Sequence, residues 1–299
     1  MSKYVQFILA ITYALITAFA LYLLWFVLSR GRQHTDEWIF YAGMAGWLLI
    51  CFTTAWWYPD VHIFFNQVRK PTYEEEYRLV LCMHQIQRKA NDKKRYRLRV
   101  EEAPGMNAYA IGIRTIVVSK DCLTLLSDEE LCALLAHEMG HLRTKDCMAI
   151  LAYFVANKPP AIVSGILKVP LKIAGGTFIG ALRQNLLYAF ILFIVLLFIL
   201  SKTAILYYVF AVAGFIIFLW LLNLLFTFLW LLNSRYTEYR QDAFAHQLGY
   251  GLQLKQVLQK IVDSGPPQRV DQYSIIIRST HPIIHNRIRR LEKLSGLRK

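Results

Sequence analysis

The chain has 299 residues, 56% of them hydrophobic and only 18% charged, against roughly 25% charged in an ordinary soluble domain. That balance argues against a wholly soluble protein and for an integral membrane protein with a soluble part. The net charge of +14 could suit nucleic acid, but no recognition module or aromatic-basic platform accompanies it. In a membrane protein such an excess reads as cytoplasmic exposure, so no nucleic-acid partner is expected.

Tyr4 to Ser29 is an uncharged run of 26 residues, long enough to cross a bilayer. Ala18-Phe19-Ala20 resembles a signal-peptide cleavage site, but it lies mid-run, and an h-region would end before it. An uncleaved helix is predicted. A second span runs from Trp38 to Trp57, bounded by Tyr58-Pro59-Asp60. Trp56-Trp57-Tyr58 at its end reads as an interfacial aromatic belt.

The soluble part then begins. Thr72-Tyr73-Glu74-Glu75 has the form of a capping box and opens a helix to about Ala90. Asn91-Asp92-Lys93-Lys94 is a turn, Arg95 to Val100 a strand, Ala103-Pro104-Gly105 a turn, and Arg114 to Ser119 another strand. Ser127-Asp128-Glu129-Glu130 is a second capping box. The helix it starts carries His137-Glu138-Met139-Gly140-His141.

Met148 to Leu167 is apolar, but Lys158-Pro159-Pro160 interrupts it, which predicts a helix at the membrane surface rather than a span. Leu186 to Asn233 is apolar over 48 residues, or ~70 Å as one helix, more than double the hydrocarbon core. It reads as two spans turning at Ser201-Lys202. The segment after Asn233 is helical and basic in pattern. Four spans place both termini and the middle region on one side. That side carries Lys3, Arg69, Lys70, Lys172, Arg183, Arg235 and Arg240 near span ends, against Arg30, Arg32 and Lys202 opposite. The excess makes it cytoplasmic. Five cysteines (Cys51, Cys82, Cys122, Cys132, Cys147) lack CxxC spacing and read as buried small residues in a reducing compartment.

His137 and His141 are four apart, so on a helix both imidazoles reach one ion. Glu138 lies beside it, placed to take a proton from an attacking water. By chance this pattern would arise in roughly one chain of this composition in a hundred, and rarely on a capped helix. A third ligand is required. The extension HExxHxxGxxH fails, because Thr144 and Cys147 stand where it needs Gly and His. Downstream of His141 the glutamates are Glu238 and Glu292. Glu292 sits in a basic run that reads as a solvated helix face. Glu238, just past the fourth span, is the expected ligand, its alternative being an ion pair with Arg235 or Arg240. Asp242, one helical turn on, could orient a ligand histidine from behind. Three protein ligands leave one position open, the pattern of a catalytic zinc.

These residues, together with Asn107-Ala108-Tyr109-Ala110, Leu135-Ala136 before His137, Ser234-Arg235, and Thr280-His281-Pro282 with Arg287, resemble the M48 family of membrane zinc metallopeptidases. That group includes the bacterial heat-shock protease HtpX and the Ste24-type CAAX-processing proteases. The resemblance runs from about residue 70 to 295, and the size and span number are closer to HtpX. It implies a gluzincin-type α+β domain with one Zn2+ on His137, His141 and Glu238, and Glu138 as general base. It also implies that Asn107 and Ala108 lie along the substrate as an edge strand, with Arg287 near the cleft. His281 is expected to be structural. Gln241 departs from the pattern, which commonly has a small residue there.

The expected organisation is an N-terminal transmembrane hairpin (1–58), a first catalytic part (59–185), a second hairpin (186–233) and a second catalytic part (234–299). The expected activity is endoproteolysis of membrane or misfolded proteins at the cytoplasmic face of a bacterial inner membrane, for quality control. The partners are a polypeptide and the lipid bilayer, with the oligomeric state open. A narrow-specificity processing protease and a non-catalytic zinc-containing scaffold are the alternatives.

Overall fold

A computed structural model describes residues 5–28, 37–157, 205–264 and 284–296. The turn at Ser201-Lys202, the run 186–204, Lys158-Pro159-Pro160, the loop cations Arg30 and Arg32, and Thr280-His281-Pro282 lie outside the described residues. The described residues are mostly helical, with one small sheet among them. Its elements are α1 (Val5–Leu28), α2 (Glu37–Phe65), β1 (Val68–Arg69), α3 (Tyr73–Ala90), β2 (Arg97–Glu101), β3 (Ala108–Ile111), β4 (Thr115–Ser119), α4 (Lys120–Leu125), α5 (Asp128–Arg143), α6 (Asp146–Ala156), α7 (Ile205–Gln247), α8 (Gly251–Ser264) and α9 (Ile284–Leu294).

The chain divides into two compact units, one of residues 1–11, 50–152 and 228–299, the other of residues 12–49 and 153–227. In the first, four strands are ordered β1-β2-β4-β3. β2 and β4 are parallel, and the other pairs are antiparallel. β4 is buried at every position and its side chains alternate between faces. Ile116 and Val118 enter a core with Leu79 and Ile86 of α3, Leu131 and Leu135 of α5, Leu254 of α8 and Leu291 of α9. Val117 points the other way, into a smaller cluster with Ala55 of α2, Tyr109 of β3 and Leu151 of α6. The metal-motif helix is therefore packed between the sheet and α3.

Both capping boxes form. Thr72 N–H donates to Glu75 at 2.7 Å, and Ser127 N–H to Glu130 at 2.8 Å. α3 ends on Asn91 in the left-handed conformation, which an asparagine tolerates. α2 differs from expectation, because it continues through Pro59 to Phe65 instead of stopping at Tyr58-Pro59-Asp60. Proline removes the N–H that would bond the Ala55 carbonyl. At that point Gly112, at φ +68°, turns the β3–β4 hairpin so closely that an added Cβ would lie 2.5 Å from the Ala55 oxygen and 2.4 Å from the Pro59 ring. The proline is covered by a glycine turn rather than ending the helix.

In the second unit, Tyr13 packs its ring on Tyr153 and Phe226 at 5.1 and 4.9 Å, and its hydroxyl donates to Asn157 at 2.8 Å. Among the described residues one stretch, Ala213–Gln247, is long and apolar enough to cross a membrane, and Ile8–Leu23 is a shorter apolar helix. Phe19, Trp38, Leu49, Trp220 and Phe228 are largely exposed, as side chains facing lipid would be. The five cysteines are all free and buried.

Candidate active site

The site is built on the buried face of α5. From Glu130 to Leu142 every residue of this helix is buried, including His137, Glu138 and His141. A helical turn brings the two imidazoles together, with ring centroids 5.0 Å apart and their Nε2 atoms 3.3 Å apart. α7 supplies Glu238, whose Oε1 is 3.3 Å from His141 Nε2 and whose Oε2 is 3.4 Å from His137 Nε2. A tetrahedral zinc ion with bonds of ~2.0–2.1 Å holds its donors roughly 3.3–3.4 Å apart. Each Glu238 oxygen keeps about that separation from one imidazole, so the three side chains suit zinc by donor type and by proximity, and they form a group able to hold a metal.

The electrostatics agree with a cation at this point. Burial opposes charge on His141, yet the Glu238 carboxylate and the hydrogen bonds to Asp146 and Glu238 outweigh it, and its pKa lies well above the ordinary imidazole value. The carboxylates that favour charge on His141 would equally favour a bound cation.

Each histidine has a carboxylate behind it. Asp242 Oδ1 lies 3.0 Å from His137 Nδ1, and Asp146 Oδ2 lies 3.4 Å from His141 Nδ1. An imidazole whose Nδ1–H is so taken presents the Nε2 lone pair to a metal. Arg287, on α9 and 6% exposed, grips Asp242 with two donors, Nε to Oδ2 at 2.9 Å and Nη2 to Oδ1 at 2.6 Å. Its Nη1 lies 3.2 Å from Glu238 Oε2. Burial disfavours its charge, but Asp242 and Glu238 raise its pKa further. Arg287 is therefore not on the solvated basic face of α9, where Arg289 and Arg290 stand exposed. The neighbouring Glu138 is 6% exposed, and its charge is felt by both His141 and Arg287.

β3 is the end strand of the sheet and packs on α5. Asn107 turns its backbone inward, its N–H donating to Ser119 Oγ at 3.0 Å and its C=O accepting from Ser119 N–H at 2.8 Å. In an antiparallel ladder the next residue pair points its N–H and C=O away from the partner. That residue is Ala108, opposite Val118. The open backbone edge beside α5 thus belongs to Ala108, one position on from Asn107.

Three features escaped the sequence reading. Asp146 was not singled out, although it stands five residues after His141 at the head of α6. Arg240, considered as an ion-pair partner of Glu238, instead donates to Asp146 at 3.0 and 3.1 Å. Gln241, the departure from the family pattern, is 1% exposed and occupies space that Gly140 leaves, since a Cβ there would lie 2.4 Å from its Oε1.

Two imidazoles and a carboxylate converging on one point, with a further buried carboxylate adjacent on the same helix, define a metallopeptidase-type centre. The family model described as peptidase family M48 matches residues 78–295, and the chain belongs to that family of metallopeptidases. No match is found among curated proteins. The crystal structure of S. mikatae Ste24p is similar over 96% of this chain and 66% of that one, at 18% identity and a TM-score of 0.45. This chain spans about two thirds of that protein's length.

Proposed function

We propose that the chain is a membrane-embedded, zinc-dependent endopeptidase acting at the cytoplasmic face on membrane or misfolded proteins. The observation that carries this reading is the set of 3.3–3.4 Å separations among His137, His141 and Glu238, with Glu138 beside them. Zinc, when bound, supplies a Lewis acid for the scissile carbonyl and acidifies the attacking water. Glu138 takes the proton from that water and returns it to the leaving amine. Ala108 offers its N–H and C=O to an extended substrate, giving affinity that tolerates many sequences. Asn107 holds that strand in place from within the sheet, and Arg287 stands near the cleft, held between Asp242 and Glu238.

The proposed organisation keeps hairpins at 1–58 and 186–233 around catalytic parts at 59–185 and 234–299. The exposed apolar side chains of α1, α2 and α7 support the membrane setting. The distribution of Lys and Arg around the spans supports the cytoplasmic side. A bacterial inner membrane and a role in quality control follow from the resemblance to HtpX.

The test is cleavage of unfolded casein by the zinc-loaded chain in detergent. Wild type should cleave, chelator should abolish cleavage, and Glu138→Ala should lower the rate ~10²–10⁴-fold, the range expected for a general base. No cleavage by zinc-loaded wild type would sink the broad endopeptidase and leave a dedicated substrate or a scaffold.

A further inference from the structure

We infer that Asp146 is a positioning residue for His141, and that Arg240 and Gln241 hold it there, so that one stretch of α7 assembles both sides of the metal site. The inference rests on the zinc reading above and concerns residues that touch no substrate.

The arrangement is costly to build, which argues against an incidental contact. α5 and α6 are joined by Thr144 and Lys145, and Lys145 takes a left-handed backbone at φ 61°. For a residue with a Cβ that conformation is unfavourable. The turn brings Asp146 back towards His141, where it is 2% exposed. Four side chains converge on this carboxylate. Oδ2 accepts from Thr144 Oγ1 at 2.5 Å and from Gln241 Nε2 at 2.8 Å, and faces His141 Nδ1 at 3.4 Å. Arg240 Nη2 bridges both oxygens. Gln241 Nε2 also donates to Thr144 Oγ1 at 2.9 Å, closing the ring.

The placement on α7 makes the coupling. Glu238 and Asp242 are four apart and face His137, as ligand and as orienting carboxylate. Arg240 and Gln241 lie between them in sequence and face Asp146. Docking of this one turn therefore delivers the third ligand, fixes His137 through Asp242, and fixes His141 through Asp146. Gly140 allows it, since a side chain there would press on the Gln241 amide. A carboxylate that takes Nδ1–H selects the tautomer with Nε2 free and raises its basicity.

The experiment measures zinc affinity of the full chain in detergent by competition with a chromophoric chelator, and the visible spectrum of the Co2+-loaded protein. Asp146→Ala should weaken zinc binding ~10–100-fold, the usual effect of losing such a partner. Asp146→Asn keeps an acceptor and should fall between it and wild type. Gln241→Leu leaves every ligand in place and should weaken zinc several-fold while altering the cobalt spectrum. The latter two carry the test if Asp146→Ala does not fold. Glu130→Gln, which weakens the partly exposed pair with Lys260 (2.7 Å) and touches no ligand, should lower stability and leave zinc affinity unchanged. If the Asp146 and Gln241 variants melt lower but bind zinc within twofold of wild type, with an unchanged cobalt spectrum, Asp146 is structural only and the inference falls. Wild type that binds no zinc would overturn the zinc reading and this inference together.

Discussion

Arg287 shows how a single buried charge can be tied to a site it does not ligate. Its guanidinium is 6% exposed and is met by Asp242 in a two-pronged contact and by Glu238 at 3.2 Å. Removing one partner of a buried pair leaves the other charge uncompensated, at a cost of ~3–5 kcal/mol. Arg287→Ala strands two carboxylates at once, so the metal-free protein should be destabilised by that amount, read as a lowered melting temperature. Arg287→Lys restores a charge without the planar fork that spans Asp242, and should recover only part of the loss. An Arg287→Ala protein that melts like wild type would mean that the pair is not formed in solution. Sequence pattern alone does not mark Arg287 as buried, because Arg289 and Arg290 follow it in a basic run. Burial is decided by which face of α9 meets the core, and its neighbours Ile288 and Leu291 are both buried.

At the scale of elements, what was legible was local. The two capping boxes mark the starts of α3 and α5 because a Ser or Thr and a Glu three residues later satisfy each other's backbone partners without help from the rest of the fold. The capping box of α3 is also tied to the sheet. Glu75 accepts from Arg69 of β1 at 2.6 and 2.8 Å as well as from Thr72 N–H. The hydrogen bonds from Arg69, outweighing burial, lower the Glu75 pKa to about 2. A depressed carboxyl pKa stabilises the fold above the unfolded value of ~4.3, and that contribution disappears as pH falls towards the folded value. Glu75→Gln should therefore melt below wild type at pH 7, and the gap should narrow as the pH falls from about 4.5 to 2. A gap that stays constant over that window would show that Glu75 acts through packing, not charge. β1 itself, two residues long, has no periodicity to read. The short α4 is equally silent, and β3 was expected only through the family resemblance. α2 passed through Pro59 because a glycine turn more than fifty residues later covers it, and no local pattern reports that.

For the whole molecule, the informative fact is that the site joins parts of the chain far apart in sequence. His137 and Glu238 are legible as ligand types, one by helical spacing and the other by elimination of alternatives. What brings them together is the packing of α7 against α5, to which only tertiary contacts testify, and the same packing hides Asp146 and Gln241 from any local reading. A metal held across this joint should stabilise the fold by mass action, about 4 kcal/mol at a free concentration a thousand times the Kd. Chelation should therefore lower the melting temperature, and zinc should restore it. Glu238→Gln should abolish the restoration, because a neutral amide leaves two imidazoles with no carboxylate between them. The location of the effect separates a joint from a general stabiliser. On chelation, amide hydrogen exchange should quicken in α5 around residues 137–143 and in α7 around residues 238–247, the two segments that the ion ties. Exchange in α3, which packs on α5 but carries no ligand, should change less. Uniform quickening across all three helices would mean that the metal supports the catalytic part as a whole. No change in any of them would mean that α5 and α7 hold together by packing alone and present a finished site to the ion.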